Sequence, residues 1–317
     1  MSKKVRIVVL GDLLYDCFIW ADRLPRVGET VTGYANGFYA GGKGGNQATQ
    51  AARLGAQTHM IGKVGQDERG AFLLDTLRQS GIDTEYVIMD PNDQTGTDCV
   101  HIDRKGRNAI IVAPMANDHI KPEEIERARE LIESADVFMS QLQINSEAIE
   151  AAMGISSRAG VCTILNPAPA KEIPNELFKL ADYCTPNETE AEFFSGYRQG
   201  EMNQTEWLNS VTESFNQKGV RNLIVTLGAA GAWYAGAEGQ YLVPPYPVEA
   251  VDTTAAGDSF NAALALRIGQ GESIRGAIAF ANAAGAMTAS RMGSCPSMPT
   301  MAELKEFLVL REKSISF

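Results

Sequence analysis

The feature of this 317-residue chain that most limits its fold is the alternation of short apolar runs with longer helical patterns. Apolar runs fall at residues 5–10, 58–62, 137–140, 162–165, 183–185 and 223–226. Helical stretches lie between them, at 69–79, 122–133, 147–158 and 205–218. Strands that alternate with helices in this way predict an α/β chain with a mainly parallel central sheet and helices on both faces. After residue 226 the pattern changes. Residues 232–235 and 240–243 read as a hairpin through Gly236 and Gly239, and two small-residue helices follow at 256–268 and 273–289.

Two segments break the alternation. Residues 14–40 and 95–112 are rich in β-formers, aromatics and turn residues, and they predict a small sheet standing off the main body. Ligands of open α/β sheets bind beyond the carboxyl ends of the strands. A small sheet placed there is a lid over the site. With no internal repeat or long linker, residues 1–317 read as one domain with the lid inside it.

Composition narrows the function. The net charge of −11 excludes general nucleic-acid binding, which needs a basic footprint. The five cysteines (Cys17, Cys99, Cys162, Cys184 and Cys295) are scattered and contain no CxxC, so free thiols in a reducing compartment are expected. With only His59, His101 and His119, no paired-histidine metal site is available. The first apolar run is short, carries Arg6, and reads as a core strand rather than a leader. No apolar stretch is long enough to span a membrane. The expectation is a cytoplasmic protein with small-molecule partners.

Four segments carry candidate chemistry. Gly41-Gly42-Lys43-Gly44-Gly45-Asn46 opens a small-residue helix, either as a close backbone approach to an anion or as a glycine turn capped by Asn46. It is not a phosphate-binding P-loop, because Gly44 stands where Ser or Thr must hold magnesium. Nor is it a dinucleotide fingerprint, because Gln47 replaces the third glycine. In Asp252-Thr253-Thr254-Ala255-Ala256-Gly257-Asp258, small residues leave helix-start amides open to an anion, with Asp258 in the first turn. A base beside an anion hole is what phosphoryl transfer to an alcohol requires; the alternative is an Asp that only complements the helix dipole. Asn187-Glu188-Thr189-Glu190 has capping-box spacing and equally suits a position facing nucleotide phosphates. Thr226-Leu227-Gly228-Ala229-Ala230-Gly231 is a strand running into a glycine turn.

The ordered set GGKGGNQA, LNPAPA, TPNETEAE, TLGAAG, VDTTAAGDSF and ASRMGSCPSMP resembles the ribokinase-like, phosphofructokinase-B type carbohydrate kinases, over residues 10–299. The resemblance implies that fold, a β-sheet lid that often clasps a second copy in a homodimer, and ATP-dependent sugar phosphorylation with magnesium. It implies Asp258 as catalytic base and Ala255, Ala256 and Gly257 as the anion hole. Lys43 would reach the sugar and the γ-phosphate, while Asp16, Gly42 and Asn46 would hold sugar hydroxyls. Asn187 and Glu190 match the phosphate and magnesium-water positions. Thr226, Gly228 and Gly231 match the nucleotide loop, with Asn282 beside the adenine. Asp252, Thr254, Thr288, Arg291, Gly293 and Ser297 match a monovalent-cation loop, with potassium as activator.

Two departures fall in the sugar set. The ribose-phosphorylating pattern Gly-Ser-Ile-Asn-Ala-Asp is here Gly11-Asp12-Leu13-Leu14-Tyr15-Asp16, and a ribose-contacting Glu is Gln143. Three readings therefore stand: a kinase for ribose or a close relative, a kinase for a deoxypentose, ketose or nucleoside, and a silent sugar-binding protein. Asp258 with its small neighbours argues for turnover, since a binder needs no base.

Overall fold

The computed structural model describes residues 4–315 and contains two sheets. The large one has nine strands in the order β13-β12-β11-β10-β9-β8-β1-β4-β5. They are β1 (Arg6–Leu10), β4 (Gln57–Gly65), β5 (Asp83–Asp90), β8 (Val137–Gln141), β9 (Cys162–Asn166), β10 (Tyr183–Cys184), β11 (Leu223–Thr226), β12 (Ala232–Gly236) and β13 (Gly239–Val243). From β5 to β11 every pairing is parallel, and the β12–β13 hairpin adds an antiparallel edge.

Side-chain alternation along the strands builds a core on each face. Ile7 and Val9 of β1 join one cluster with the helices Lys43–Arg53, Glu68–Gln79, Ala256–Gly269 and Ile274–Ala289. Val8 and Leu10 join the other with Ser146–Arg158, Asn175–Leu180 and Gln204–Gln217. Fully burying one such aliphatic side chain contributes about 1.5–3 kcal/mol. Trp207, wholly buried in the second cluster, also has its indole N–H bonded to the Tyr197 carbonyl at 3.0 Å.

The small sheet has four strands in the order β3-β2-β6-β7: β2 (Leu14–Ala21), β3 (Gly33–Gly41), β6 (Thr97–Ile102) and β7 (Asn108–Ala113). The aromatics there pack on one another, with Phe18 stacked on Trp20 and edge-on to Tyr39. Several elements differ from the sequence expectation. The stretch 122–133 is two short helices, Pro122–Arg127 and Arg129–Glu133, broken where Ala128 leaves helical geometry (φ −93°, ψ 10°). Strand β5 and the helices Asn175–Leu180 and Met301–Ile315 were not anticipated, because β5 mixes exposed acids with apolar residues and the helices carry little apolar periodicity.

Strand order fixes where a ligand can sit. From β1 the chain crosses to β4 and β5 on one side and to β8 and its successors on the other. The crossovers diverge at the β1–β8 junction, leaving a crevice beyond the carboxyl ends of the strands. The small sheet leaves the core there, since β2 starts four residues after β1 ends.

Candidate active site

The crevice is lined by residues that follow the strand ends. Asp12 follows β1, Gln141 ends β8, Asn166 ends β9, Thr185 follows β10 and Thr226 ends β11. Facing them are the first turns of the helices Lys43–Arg53 and Ala256–Gly269.

The second of these helices holds Asp258. Its N-cap, Ala255, sits in the left-handed region at φ 61°, a conformation that costs a non-glycine residue energy and occurs at ligand-gripping turns. The amides of Ala256 and Ser259 bond to the carbonyls of Thr253 and Ala255. Those of Gly257 and Asp258 find no acceptor among the described residues, so two N–H groups at a helix start stay open to an anion. Asp258 is 6% exposed and accepts from Asn46 Nδ2 at 3.0 Å and Gln47 Nε2 at 3.1 Å. Burial raises its pKa, against the pull of Lys43 and those two amides, which suits a base that must accept a proton.

Gln47 anchors a buried polar chain. It donates to Asn166 Oδ1 at 3.2 Å and accepts from Gln141 Nε2 at 2.6 Å. Asn166 donates to the Thr185 carbonyl, the Thr185 hydroxyl to Asn261 Oδ1, and Asn261 Nδ2 to the Gly257 carbonyl. The chain thus runs from the Asp258 carboxylate through the ends of β9 and β10 back to the peptide beside it, with Gln141 at the end of β8 branching from Gln47. Such a network fixes both the base and the open amides, with Gln141 Oε1 left buried and without a partner.

The glycine-rich turn behaves differently from either sequence reading. Gly42 is the N-cap of Lys43–Arg53 at φ 83° and offers no side-chain cap. Asp12 serves instead, reaching across from β1 to accept from the amides of Lys43 (3.2 Å) and Gly44 (3.0 Å). A Cβ on Gly44 would lie 2.7 Å from the Gly11 Cα, so only glycine admits this approach. These helix-start amides are occupied, and Asn46 is not the cap. Asp12 is fully buried, and burial pushes it up to about 6. Its stabilising contribution is present below the ordinary carboxylate range and is lost as pH rises through about 6. Asp12→Asn is therefore expected to lose less stability than the parent between pH 4 and pH 8, by about 3 kcal/mol, whatever the lost cap bond costs at both pH values. Paired thermal melts at the two pH values check this.

Lys43 stands where the charges of Asp12, Asp98, Glu190 and Asp258 all reach it. Asp16, 4% exposed, lies under Gly41, senses Asp12 and Asp258, and is held well above the usual carboxylate range by burial and by Asp98. Leu14 is 1% exposed with Cδ2 toward Gly96, and Gln143 is half-buried two residues after β8. Asn187 and Glu190 form a reciprocal capping box at 2.8 and 2.9 Å, yet Glu190 is also buried and within the fields of Lys43 and Asp258. Capping and a site-facing position thus occur together.

Gly228 (φ 50°) and Gly231 (φ 95°) shape the turn after β11, where the Leu227 amide bonds to the Gly231 carbonyl. Asn282 donates to the carbonyls of Val243 and Pro244 and holds the segment after β13. Asp252 accepts from the amides of Thr254 and Gly293, joining the two parts of the expected cation loop. In that loop the Thr288 and Ser297 hydroxyls bond to the carbonyls of Ala284 and Ser294, and Arg291 pairs with Glu303. Sequence reading passed over Asp12, Gln47, Asp98, Gln141, Asn166, Thr185 and Asn261; their shared signal is a polar side chain at or just past a buried strand or in a small-residue helix turn.

A buried base beside open helix amides, at the switch point of a parallel sheet, defines a group-transfer site for an alcohol. The model of the pfkB family carbohydrate kinases matches residues 4–301. The chain is 38% identical over 303 residues to the ribokinase of Bacillus subtilis, covering 95% of this chain and 99% of that relative. It is 31% identical over 307 residues to the deoxyribokinase of Salmonella typhimurium, covering 96% and 99%. Its fold is similar to the crystal structure of Arabidopsis thaliana ribokinase complexed with ribose and ATP, with a TM-score of 0.87, 29% identity, and coverage of 96% and 99%. The chain belongs to the pfkB family of carbohydrate kinases and is an ATP-dependent sugar kinase.

Proposed function

We propose that the protein transfers the γ-phosphoryl group of ATP to a hydroxyl of a small furanose-like sugar, with ribose as the leading acceptor. The observation that carries this reading is Asp258, buried and held by two side-chain amides beside the open N–H groups of Gly257 and Asp258. Asp258 takes the proton of the attacking hydroxyl while those amides, with Ala255 and Ala256 shaping the turn, stabilise charge on the moving phosphoryl oxygens. Lys43 bridges the sugar and phosphate ends, consistent with its place between Asp98 and Glu190. Asp16, Gly42, Asn46 and Gln143 line the sugar end. Asn187, Glu190, Thr226, Gly228, Gly231 and Asn282 line the nucleotide end. The small sheet acts as a lid, because transfer to a sugar must exclude water.

A second acceptor class, the 2-deoxypentoses, is favoured by Leu14, which offers no hydrogen bond where a sugar hydroxyl is expected. ADP release measured over pentoses, deoxypentoses, hexoses, ketoses and nucleosides ranks the two. Turnover confined to one of these classes names the acceptor, and no turnover with any of them refutes the proposal.

Glu190 suits a water-held magnesium, because each of its oxygens accepts one bond from Asn187 and retains a free lone pair. Among the described residues no group of three His, Cys, Asp or Glu is placed to bind a metal directly. Magnesium supplies charge neutralisation on the transferring phosphates. The cation loop fits potassium through oxygen donors of Asp252, Thr254, Thr288, Arg291, Gly293 and Ser297, and the Ser294 hydroxyl there is buried without a partner. The rate is expected to rise severalfold when potassium replaces a large organic cation at fixed ionic strength. Identical initial rates in the two salts would contradict that loop assignment.

On the outer face of the small sheet Phe38 (52% exposed) and Ile111 (72% exposed) flank Cys17 and Cys99 in one row across the strands. An apolar row of that kind supports a homodimer through the lid. The unpaired cysteines suit a reducing compartment, and we assign the enzyme to the cytoplasm. No helix among the described residues is long and apolar enough to cross a membrane.

A further inference from the structure

This inference rests on the sugar-kinase reading and concerns a residue that no motif marked. Strands β2 and β6 run parallel with Asp16 directly opposite Asp98. Directly opposed residues project to the same face, so Tyr39, Asp16, Asp98 and Val112 form one row across the small sheet. That row fronts the crevice, for Asp16 senses Asp12 and Asp258 while Asp98 senses Lys43.

The two carboxyls lie within hydrogen-bonding reach of each other. Each keeps its Oδ1 buried and without any partner, and Asp16 is 4% exposed. Buried polar atoms almost always find partners, and one proton shared between the two carboxyls fills only part of their acceptor capacity, so the pair still offers buried oxygens to donors from a ligand. Neither oxygen can be satisfied by a phosphate or carboxylate, which would bring further negative charge. The matching chemistry is a neutral ligand with two adjacent hydroxyls. Burial also pushes Asp98 up to about 6 and Asp16 well above the usual range, so the free pair is a costly arrangement that hydroxyl donors relieve.

We propose that Asp98 is a specificity-determining residue that, together with Asp16, grips a vicinal diol of the acceptor sugar. Leu14 lies two residues before Asp16 on the same strand, and its side chain leaves the neighbouring part of the sugar without a polar partner. A diol grip at the β2–β6 row excludes 2-deoxyribofuranose, which has no two adjacent hydroxyls, so the acceptor selected is one that keeps its vicinal diol, such as ribose, over the 2-deoxypentoses.

The test compares the parent with Asp98→Ala, using D-ribose, 2-deoxy-D-ribose and 3-deoxy-D-ribose as acceptors at saturating ATP and magnesium. For the preferred acceptor, Asp98→Ala is expected to raise KM about ten- to hundredfold with kcat within about threefold, the loss of one buried hydrogen bond to a charged group. The preference over the analogue lacking the gripped hydroxyl should collapse by a similar factor. Without sugar the variant should melt no lower than the parent, and the sugar-induced rise in melting temperature should shrink. Unchanged KM and unchanged ranking overturn the proposal, and so does a fall in kcat at constant KM or a lower melting temperature with KM unmoved. Should Asp98→Ala not fold, Asp98→Asn gives the same comparison, since it keeps the volume and turns one acceptor into a donor. A parent that turns over none of the acceptors refutes the kinase reading itself, and this inference with it.

Discussion

Asp258→Asn is expected to lower kcat by ~10²–10⁴-fold while leaving the fold and sugar affinity close to those of the parent. The substitution preserves shape and removes the proton acceptor. Gln47 Nε2 can still donate to the remaining oxygen of residue 258. Asn46 Nδ2, which now donates to the carboxylate, would face the new amide, and a rotation of the Asn46 amide restores that contact. Within the protein the same rotation disturbs the Cys295 thiol bond to Asn46 Oδ1, so the cost to the fold is small. Because burial raises the Asp258 pKa, the parent's kcat should fall on the acid side at a pH above the ordinary carboxylate range. Steady-state rates across pH, with circular dichroism of the variant, check both statements. Parent-like kcat in Asp258→Asn would remove this residue from the role of base.

The second large effect concerns acceptor choice. Leu14→Asn combined with Gln143→Glu is expected to raise kcat/KM for ribose over that for 2-deoxyribose by about ten- to hundredfold relative to the parent. A buried hydroxyl facing Leu14 without a partner costs about 1–3 kcal/mol. Leu14 is 1% exposed, and its Cδ2 leans toward Gly96 at the base of the small sheet, so an amide there stands at the entrance to the Asp16 row. Gln143 lies two residues past β8, whose last residue, Gln141, binds Gln47. Competition assays with both sugars in one reaction read the ratio directly. An unchanged ratio would mean that these two positions do not set the choice.

Much of the large sheet was legible because its strands are buried on both faces and therefore continuous in apolar residues, as in Ile7 to Leu10. Strand β5 was not, since Asp83, Glu85 and Asp90 interrupt it at an exposed sheet edge. The four-stranded sheet lies where residues 14–40 and 95–112 broke the βα rhythm, although its β2–β6 pairing is parallel and joins segments far apart in the chain. Motif reading singled out Asp258, Lys43 and Glu190, which the fold brings into one electrostatic neighbourhood. It could not see Gln47 as a partner of Asp258, or Asn166 and Thr185 linked behind Gln47, because their link is made by strand order and not by spacing. Asp12 was hidden for the same reason. Its capping of Lys43 and Gly44 spans about thirty residues and exists only because β1 and the helix Lys43–Arg53 end at the same crevice. Asp98 looked like one polar residue in a lid strand until its register opposite Asp16 was known.

The most direct measurement of the central claim follows the phosphoryl group itself. The parent protein is incubated with ATP, magnesium, potassium and ribose, and the products are identified by mass spectrometry. The expected result is a sugar monophosphate formed one-for-one with ADP, and almost none of either with Asp258→Asn. ADP released without sugar phosphate, or sugar phosphate formed equally well by Asp258→Asn, would contradict a kinase in which Asp258 delivers a sugar hydroxyl to the γ-phosphate.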